Sequence, residues 1–295
     1  MPTHTVVIQP EMEGRSIRSI ALNAAQMSSG QFKRAKFQGS ITLDGERVTA
    51  DVRVRAGQTL VLFVPEVSNS QPKAVQMPLS IVYEDEYFWV IDKPAPMPSA
   101  PSVNRDTPTL ENALFAYLGE PEHFIYRPVN RLDKGTSGLM IVAKDAHVQY
   151  LLQQLLHTED FIREYLAVVD GALPQEEGVI DLPIAKADGA TVRREVREDG
   201  KEARTFYRVI QKGKRSLVRL RLDTGRTHQI RVHMAHLGCP VTGDFLYGTE
   251  LPQELPGRFA LHSAMIRLRH PVSGEWMTVE SKLPQGLEDL LQGRD

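Results

Sequence analysis

The chain has a single cysteine, Cys239, among its 295 residues. One thiol cannot form an intrachain disulfide, and it argues against a cysteine-based zinc site. Apolar runs are short as well, because the longest clear one, Thr59 to Val64, falls far below the ~20 residues that span a bilayer. The N-terminal residues also lack the charged-then-apolar order of a signal peptide. These absences predict a cytoplasmic globular protein with no membrane partner.

Net charge is nearly absent too, since 35 basic residues face 37 acidic ones. That balance argues against a histone-like binder, but its distribution is uneven. Residues 193–221 hold eleven Lys/Arg and four Asp/Glu, a local charge of +7 in a chain of net charge −2. Such a cluster indicates a polyanionic partner, because cations that neutralise phosphates release bound counterions. The alternative is a solvated strand face whose charges bind nothing.

Residues 1–66 predict a small separate α+β module. Apolar residues at helical spacing predict a first helix from Ile17, and a short basic helix that Gly39 ends follows it. The Asp44-Gly45 turn between apolar runs predicts a hairpin. Residues 67–78 are polar, contain proline and show no periodicity, which is typical of a linker.

The remaining residues, 79–295, predict one larger domain. Five prolines within residues 94–108 predict an exposed, stiff loop. Asp145 is a suitable N-cap for an amphipathic helix. Residues 165–169 and 217–222 are β-branched or alternating and predict strands. The domain is therefore predicted to be α+β, rich in strands with intervening helices.

The first candidate for chemistry is the octet 131–138, RLDKGTSG, which runs into an apolar strand. Two glycines and two hydroxyl residues indicate a tight turn, and Asp133 lies at its mouth between Arg131 and Lys134. Flanking cations favour an ionised carboxylate, which suits a nucleophile or an electrostatic stabiliser. The alternative is a structural turn in which Asp133 accepts only backbone N–H bonds.

The second candidate is the segment 224–234, TGRTHQIRVHM, in which polar and apolar residues alternate. The alternation predicts a strand with Ile230 and Val232 in the core and with Arg226 and Arg231 on opposite faces. A guanidinium suits a carboxylate or a phosphate partner through its planar fork.

Four further residues leave their roles open. His228, His233 and His236 follow no standard zinc spacing, and no acidic residue lies between them, so polar contacts or core packing are favoured over a metal site. Tyr165 lies in an apolar strand, where a tyrosine either packs in the core or offers a flat face to a stacked base.

Taken in order, these segments resemble the RluA family of RNA pseudouridine synthases over about residues 79–285. The resemblance is carried by Pro128-Val129-Asn130-Arg131-Leu132-Asp133, Thr136-Ser137-Gly138, Ala143-Lys144, Tyr165-Leu166-Ala167-Val168, Lys201-Glu202-Ala203-Arg204-Thr205, the run from Gly225 to His233, Gly243-Asp244-Phe245-Leu246-Tyr247-Gly248, Leu261-His262-Ser263 and His270-Pro271. Residues 15–66 more loosely resemble the S-four-like RNA-binding domain that often precedes this catalytic domain.

The resemblance implies a mixed, mainly antiparallel central sheet with flanking helices. It implies a uridine isomerase that acts on rRNA or tRNA. The sequence has no Rossmann or Walker glycine pattern and no convincing metal cluster, so we expect no metal or nucleotide cofactor, and a monomer is the default expectation. Asp133 corresponds to the catalytic aspartate, Tyr165 to the tyrosine that stacks on the target base, and Arg231 to the arginine that pairs with the aspartate. The expected substrate-binding residues are Arg131, Asn130, Thr136, Arg226, His228 and Gln229.

Two positions depart from the family pattern. Asn130 stands where the family usually has histidine, which bears on substrate preference because an amide cannot titrate near neutrality. Pro96 stands where glycine is usual. Two alternatives to an isomerase therefore remain at this point, namely a non-catalytic RNA-binding protein on the same scaffold and a metal-dependent hydrolase that uses the histidines.

Overall fold

The structure is a computed structural model that describes residues 3–65, 71–101 and 107–292. Residues 67–70 of the predicted linker and 102–106 of the proline-rich loop lie outside the described residues. In the part of the chain that is described, no helix is both long and apolar enough to cross a bilayer.

The N-terminal part folds as a four-stranded sheet, in the order β1-β4-β2-β3, with two helices. Its elements are β1 (Thr3–Val7), α1 (Ile17–Asn23), α2 (Ser29–Phe37), β2 (Ser40–Leu43), β3 (Glu46–Arg47) and β4 (Thr59–Phe63). The basic helix α2 begins with a reciprocal capping box between Ser28 and Gln31. A buried apolar cluster made only of residues between Ile8 and Val64 holds these elements together. The His4 ring packs edge-on against the ring of His147, with 4.5 Å between centroids, and so joins this unit to the rest of the chain.

The rest of the chain is built around a nine-stranded sheet. Its elements are β5 (Ser80–Glu84), β6 (Phe88–Lys93), α3 (Leu110–Tyr117), β7 (Ser137–Ala143), α4 (Ala146–Leu155), β8 (Phe161–Asp170), β9 (Glu177–Asp181), β10 (Ile184–Lys186), β11 (Arg194–Val196), β12 (Arg204–Gln211), β13 (Arg215–Leu222), α5 (Gln229–His236), β14 (Leu261–Arg269), β15 (Trp276–Glu280) and α6 (Gln285–Glu288). The predicted N-cap Asp145 begins α4 by accepting the N–H groups of His147 and Val148.

The large sheet runs in the order β5-β6-β7-β14-β8-β13-β12-β9, and β15 pairs with the second half of β14. β7 and β14 pair in parallel, while the other ladders of this sheet are antiparallel. β10 and β11 form a separate two-stranded hairpin. The predicted α+β class with a mixed, mainly antiparallel sheet is confirmed.

Alternate residues of β7 enter two different cores, as expected for a strand buried on both faces. Leu139 and Ile141 pack with α4, whereas Met140 and Val142 belong to a cluster that includes α3 and α5. β7 is therefore covered on both faces, and the octet that carries Asp133 leads directly into it.

The strand predicted over residues 224–234 is wrong, because Gln229–His236 form helix α5. Every residue of the helix from Gln229 to Met234 is buried. Hydrogen bonds to distant residues satisfy its buried polar side chains, as Gln229 and His233 do with the Thr205 hydroxyl. Apolar residues at 230, 232 and 234 then imitate the period of a strand. His228, in a left-handed conformation with φ 60°, reverses the chain into the helix.

Candidate active site

The turn 131–136 and the start of β7 need glycine at positions 135 and 138, because the backbone passes close to packed groups there. A Cβ on Gly135 would lie 2.6 Å from the Phe259 ring. Gly138 has φ +106°, and a Cβ there would lie 2.3 Å from the carbonyl oxygen of Ser263 on the paired strand β14. These close approaches hold Asp133 at the entrance of β7, and the Thr136 N–H donates to the Asp133 carbonyl at 3.1 Å.

The described part of the proline-rich loop braces this turn. The Ser99 hydroxyl donates to the carbonyl of Leu132 and accepts its N–H. The N–H of Met97 donates to the carbonyl of Lys134 at 2.9 Å. Met97 and Ser99 are buried, whereas Pro94, Pro96 and Pro101 are exposed, so the predicted exposed loop is only partly correct here.

Asp133 and Arg231 lie 98 residues apart in the chain and form an ion pair. The Nη1 of Arg231 donates to Oδ2 of Asp133 at 2.9 Å. Nε and Nη2 of the same guanidinium donate to the two carboxylate oxygens of Asp244, at 2.6 and 2.9 Å. Arg231 and Asp244 are buried, whereas the Asp133 side chain keeps 30% of its surface exposed. One carboxylate thus anchors the arginine, and the arginine presents the other carboxylate to solvent.

Aromatic rings enclose the buried guanidinium. Its Cζ lies 4.1 Å from the centre of the Phe259 ring and 5.1 Å from that of Tyr247. Burial alone would lower the pKa of Arg231, but the hydrogen bonds and charges of Asp244 and Asp133 outweigh burial and raise it. Arg231 is therefore a permanent cation beside Asp133.

Tyr165 lies opposite Ser263 in the ladder between β8 and β14, and it is 6% exposed. Burial, with the nearby Asp133 charge adding to it, raises the pKa of this phenol. Its ring is therefore a neutral, mostly covered surface at physiological pH. Tyr165 and Asp133 both line the same cleft.

His228 approaches the carboxylate from the other side. Its Nε2 lies 3.8 Å from Oδ2 of Asp133, and its Nδ1 hydrogen-bonds the Tyr247 hydroxyl at 2.8 Å. Burial lowers the pKa of His228, although the charge of Asp133 opposes this effect. The imidazole is therefore neutral at pH 7 and does not compete with Arg231 as the partner cation.

A cleft of about 570 Å³ opens beside Asp133. Residues of the octet, the proline-rich loop, β8 and the loop 225–227 line it, including Asn130, Arg131, Tyr165 and Arg226. This volume falls in the range of small-molecule sites, so it can enclose one nucleotide.

The other predicted binding residues differ in their positions: Asn130, Arg131 and Arg226 line this cleft, whereas Thr136, His228 and Gln229 line a small adjoining pocket next to Asp133. Arg131 is exposed, whereas Thr136 and Gln229 are buried. The Gln229 amide donates to Arg204 and Thr205 and accepts from Thr224 and Arg226, so it fixes the loop after β13. Asn130 accepts the Ile141 N–H through Oδ1, while its buried Nδ2 has no hydrogen-bond partner among the described residues.

The three histidines do not converge. His233 hydrogen-bonds Thr205 and the Leu182 carbonyl, and His228 bonds Tyr247. No three His, Cys, Asp or Glu side chains in the described ranges come together in a way that could hold a metal ion. The hydrolase alternative therefore has no support in the geometry.

Lys93 was not predicted, yet its ammonium is fully buried next to the Asp133 turn. It donates to the carbonyls of Pro94 and Met97, at 3.0 and 2.8 Å. Burial lowers the pKa of Lys93 to about 7, and the charge of Asp133 only partly offsets this. Lys93 thus connects the end of β6 to the loop that braces the octet.

Replacing this lysine should change how stability depends on pH. Between pH 7 and 10 the unfolded chain binds one proton at residue 93 that the folded protein has lost, so wild-type stability rises with pH in that window and is lowest below it. Relative to Lys93→Met, the wild-type free energy of unfolding should gain about 1.4 kcal/mol per pH unit.

Urea unfolding at pH 7, 8 and 9 measures this difference, and the exposed Lys214→Met serves as the control for removing a lysine. A constant gap between wild type and Lys93→Met across these pH values would show that Lys93 keeps an ordinary ammonium.

Sequence reasoning also assigned no role to Asp244 or Tyr247. Both residues lie in the motif 243–248, so the sequence singled out their positions. It did not show that Asp244 contacts Arg231 or that Tyr247 contacts His228. An i to i+13 spacing between Arg231 and Asp244 across a loop has no periodic signal in the sequence.

A carboxylate held by a buried arginine, at the mouth of a nucleotide-sized cleft in a mixed sheet, is an arrangement typical of an enzyme that acts on a nucleoside. The profile of the family described as RNA pseudouridylate synthase matches residues 87–236. The chain belongs to this family, whose members are isomerases that convert uridine in RNA to pseudouridine.

Individual relatives agree with this assignment. The chain is 38% identical to ribosomal large subunit pseudouridine synthase D of Xanthomonas campestris, over 86% of this chain and 80% of that protein. It is 37% identical to the uncharacterised RNA pseudouridine synthase YjbO of Bacillus subtilis, over 87% of this chain and 91% of that protein. The solved structure of human RNA pseudouridylate synthase domain containing 1 superposes with a TM-score of 0.57 at 26% identity, covering 73% of this chain and 94% of that one.

Proposed function

We propose that this protein isomerises specific uridines of large-subunit ribosomal RNA, with Asp133 as the catalytic carboxylate. The observation that carries the proposal is the Asp133–Arg231–Asp244 arrangement. It gives a carboxylate that is partly exposed to a nucleotide-sized cleft and held in place by a buried, permanently charged guanidinium. Names of several relatives support ribosomal RNA over tRNA as the substrate, since they are called ribosomal large subunit pseudouridine synthase D.

The chemistry needs little more than this site offers. The N1–C1′ bond of uridine breaks, the uracil turns, and C5 bonds to C1′ while C5 loses a proton and N1 gains one. Nothing is oxidised or reduced. The steps at carbon need a carboxylate at an electron-poor carbon of the nucleoside and a site that retains the free uracil. A solvent-accessible Asp133 faces the cleft, and the covered ring of Tyr165 supplies a surface on which the base can stack.

Access to a base in folded RNA requires the nucleotide to leave its stack, at a cost of a few kcal/mol. Arg131 is exposed at the cleft, and we assign it to filling the space that the nucleotide leaves. Asn130 lines the cleft, and we assign it to nucleotide binding. We assign Thr136, Arg226 and His228 to the binding wall near Asp133, and Gln229 to holding that wall.

We assign residues 1–66 to RNA binding, residues 67–78 to the linker and residues 79–295 to catalysis. The described residues of the linker support its assignment only in part, because Lys73 and Val75 hydrogen-bond Asn112 of α3. On the N-terminal unit, α2 presents Lys33, Lys36 and an exposed Phe37 beside a hollow of about 300 Å³. Cations interleaved with an exposed ring suit single-stranded RNA. We expect a cytoplasmic monomer that needs no cofactor.

The test is to map pseudouridine in all RNAs of cells with and without this protein. We expect one or a few sites in large-subunit rRNA to be lost and to return when the wild-type gene is restored. Loss of sites in tRNA alone would overturn the ribosomal substrate but keep the reaction. If every pseudouridine persisted, the proposed function itself would be wrong.

A further inference from the structure

A second groove, about 470 Å³ in volume, lies beside the active-site cleft. It runs between the β10–β11 hairpin, the turn 199–201 and the loop 225–227. We call it the hairpin groove. Its lining carries four cations, Lys186, Arg194, Lys201 and Arg226.

The cations of the basic stretch 193–221 fall into two groups that the sequence does not separate. One group is neutralised by carboxylates in the fold, with Arg197 bound to Asp188, Glu195 and Asp199, Arg204 to Asp181, Arg208 to Glu177, Lys212 to Glu176, Arg215 to Asp170 and Glu254, and Arg219 to Glu164. Arg194 and Lys201 of the hairpin groove belong to the other group, and Lys186 and Arg226 flank the stretch on either side.

Among the described residues, none of the four groove cations forms an ion pair with a carboxylate. Arg226 donates through Nε to the Glu202 carbonyl at 2.8 Å, which orients its guanidinium without neutralising it. The one carboxylate in the lining, Asp199, is bound to Arg197. The lining therefore carries four cations against one carboxylate, a net charge of +3. Such a concentration of positive charge attracts a polyanion.

The hairpin groove continues the active-site cleft, because Gly225, Arg226 and Thr227 line both. The hairpin is also tied to the catalytic centre. The N–H of Arg194 donates to the Tyr247 hydroxyl at 2.8 Å, and that hydroxyl bonds Nδ1 of His228 beside Asp133. A strand that leaves the cleft past residue 226 therefore enters the groove directly.

We propose that the hairpin groove binds backbone phosphates of the RNA strand that flanks the target uridine, with Lys186 and Lys201 as its main phosphate contacts. This inference rests on the proposed function, since it takes RNA as the substrate in the cleft. Two cations held on a short hairpin and its neighbouring turn position the strand, while the cleft receives the flipped nucleotide. Contacts to phosphates carry no base information, so the groove contributes affinity and register rather than sequence choice.

The test variant is Lys186→Gln/Lys201→Gln, and the probe is a fluorescein-labelled 12-nucleotide oligouridylate whose Kd is measured by anisotropy between 50 and 200 mM KCl. Loss of two phosphate contacts should reduce the slope of log K against log salt by about 1.4. We expect Kd at 100 mM KCl to rise roughly tenfold. On a large-subunit rRNA transcript, the KM for pseudouridine formation should rise by a similar factor.

The matched control is Lys212→Gln/Lys214→Gln, which removes two exposed lysines at the turn between β12 and β13. It should keep the wild-type Kd and salt slope. Equal shifts in both double variants would mean that the effect depends only on the overall charge of the protein, which would overturn the groove as a specific site. No shift in either variant would overturn the groove as an RNA site. Binding is read without turnover, so these failures are distinct from a wild-type protein that forms no pseudouridine in any transcript, which would instead overturn the proposed function.

Discussion

Asp133→Asn should lower kcat for pseudouridine formation by at least about 10⁴-fold, as loss of a catalytic carboxylate or nucleophile does in other enzymes. The amide has the same shape, and its oxygen can still accept from Nη1 of Arg231. What it lacks is the negative charge that faces the cleft. RNA affinity should stay within about threefold of wild type, because binding depends mainly on cations elsewhere. Tritium release from [5-³H]uridine in an rRNA transcript, together with filter binding, measures both quantities.

The control for this variant is Asp223→Asn, which removes an exposed carboxylate just beyond β13 and should keep wild-type turnover. An Asp133→Asn protein that released tritium at the wild-type rate would remove Asp133 from the mechanism. Equal losses of turnover and RNA binding would instead assign the residue to substrate binding.

Arg231→Met should destabilise the protein by about 3–5 kcal/mol, because it leaves the fully buried Asp244 charge without its partner. For a protein of this size, that loss corresponds to a Tm lower by roughly 6–20 °C. Turnover should be lost as well, since Asp133 is no longer held at the cleft. Differential scanning calorimetry and the tritium assay report the two effects separately.

A second variant separates structure from catalysis at this position. Arg231→Met/Asp244→Asn removes both charges, and the Asn oxygen can still accept the N–H groups of Leu246 and Tyr247. It should recover about half or more of the lost stability, because an unpaired buried charge accounts for most of the cost. Turnover should remain absent. If the double variant regained turnover with its stability, Arg231 would be only a structural residue.

Local sequence patterns were sufficient to predict the elements whose caps, turns and apolar positions lie within a few consecutive residues. The helix after Asp145 has its N-cap, its apolar stripe and its length in consecutive residues. The Asp44-Gly45 hairpin is specified by a turn in which both residues adopt positive φ. The α+β class followed from such elements in order.

The segment 224–234 shows where a local pattern is ambiguous. Hydrophobic periodicity indicates a helix only when one face of the helix is buried and the other is exposed to solvent. Helix α5 is buried on nearly every side. The polar side chains of Gln229, Arg231 and His233 are buried because partners distant in the chain satisfy them. Only those partners distinguish this helix from an alternating strand.

The amino-acid order by itself determined the secondary-structure units with local signals, the ordered motifs of the family and the residues able to carry its chemistry. Tertiary structure alone decided that Asp244 clamps Arg231 and that Lys93 is buried beside the octet. It also decided that some cations of the basic stretch, such as Arg204, are paired with carboxylates, while Arg194 and Lys201 line the hairpin groove. The physical reason is that charge pairing and burial depend on distances between atoms in space. Residues 13 to 98 positions apart reach those distances only after the strands and helices have packed.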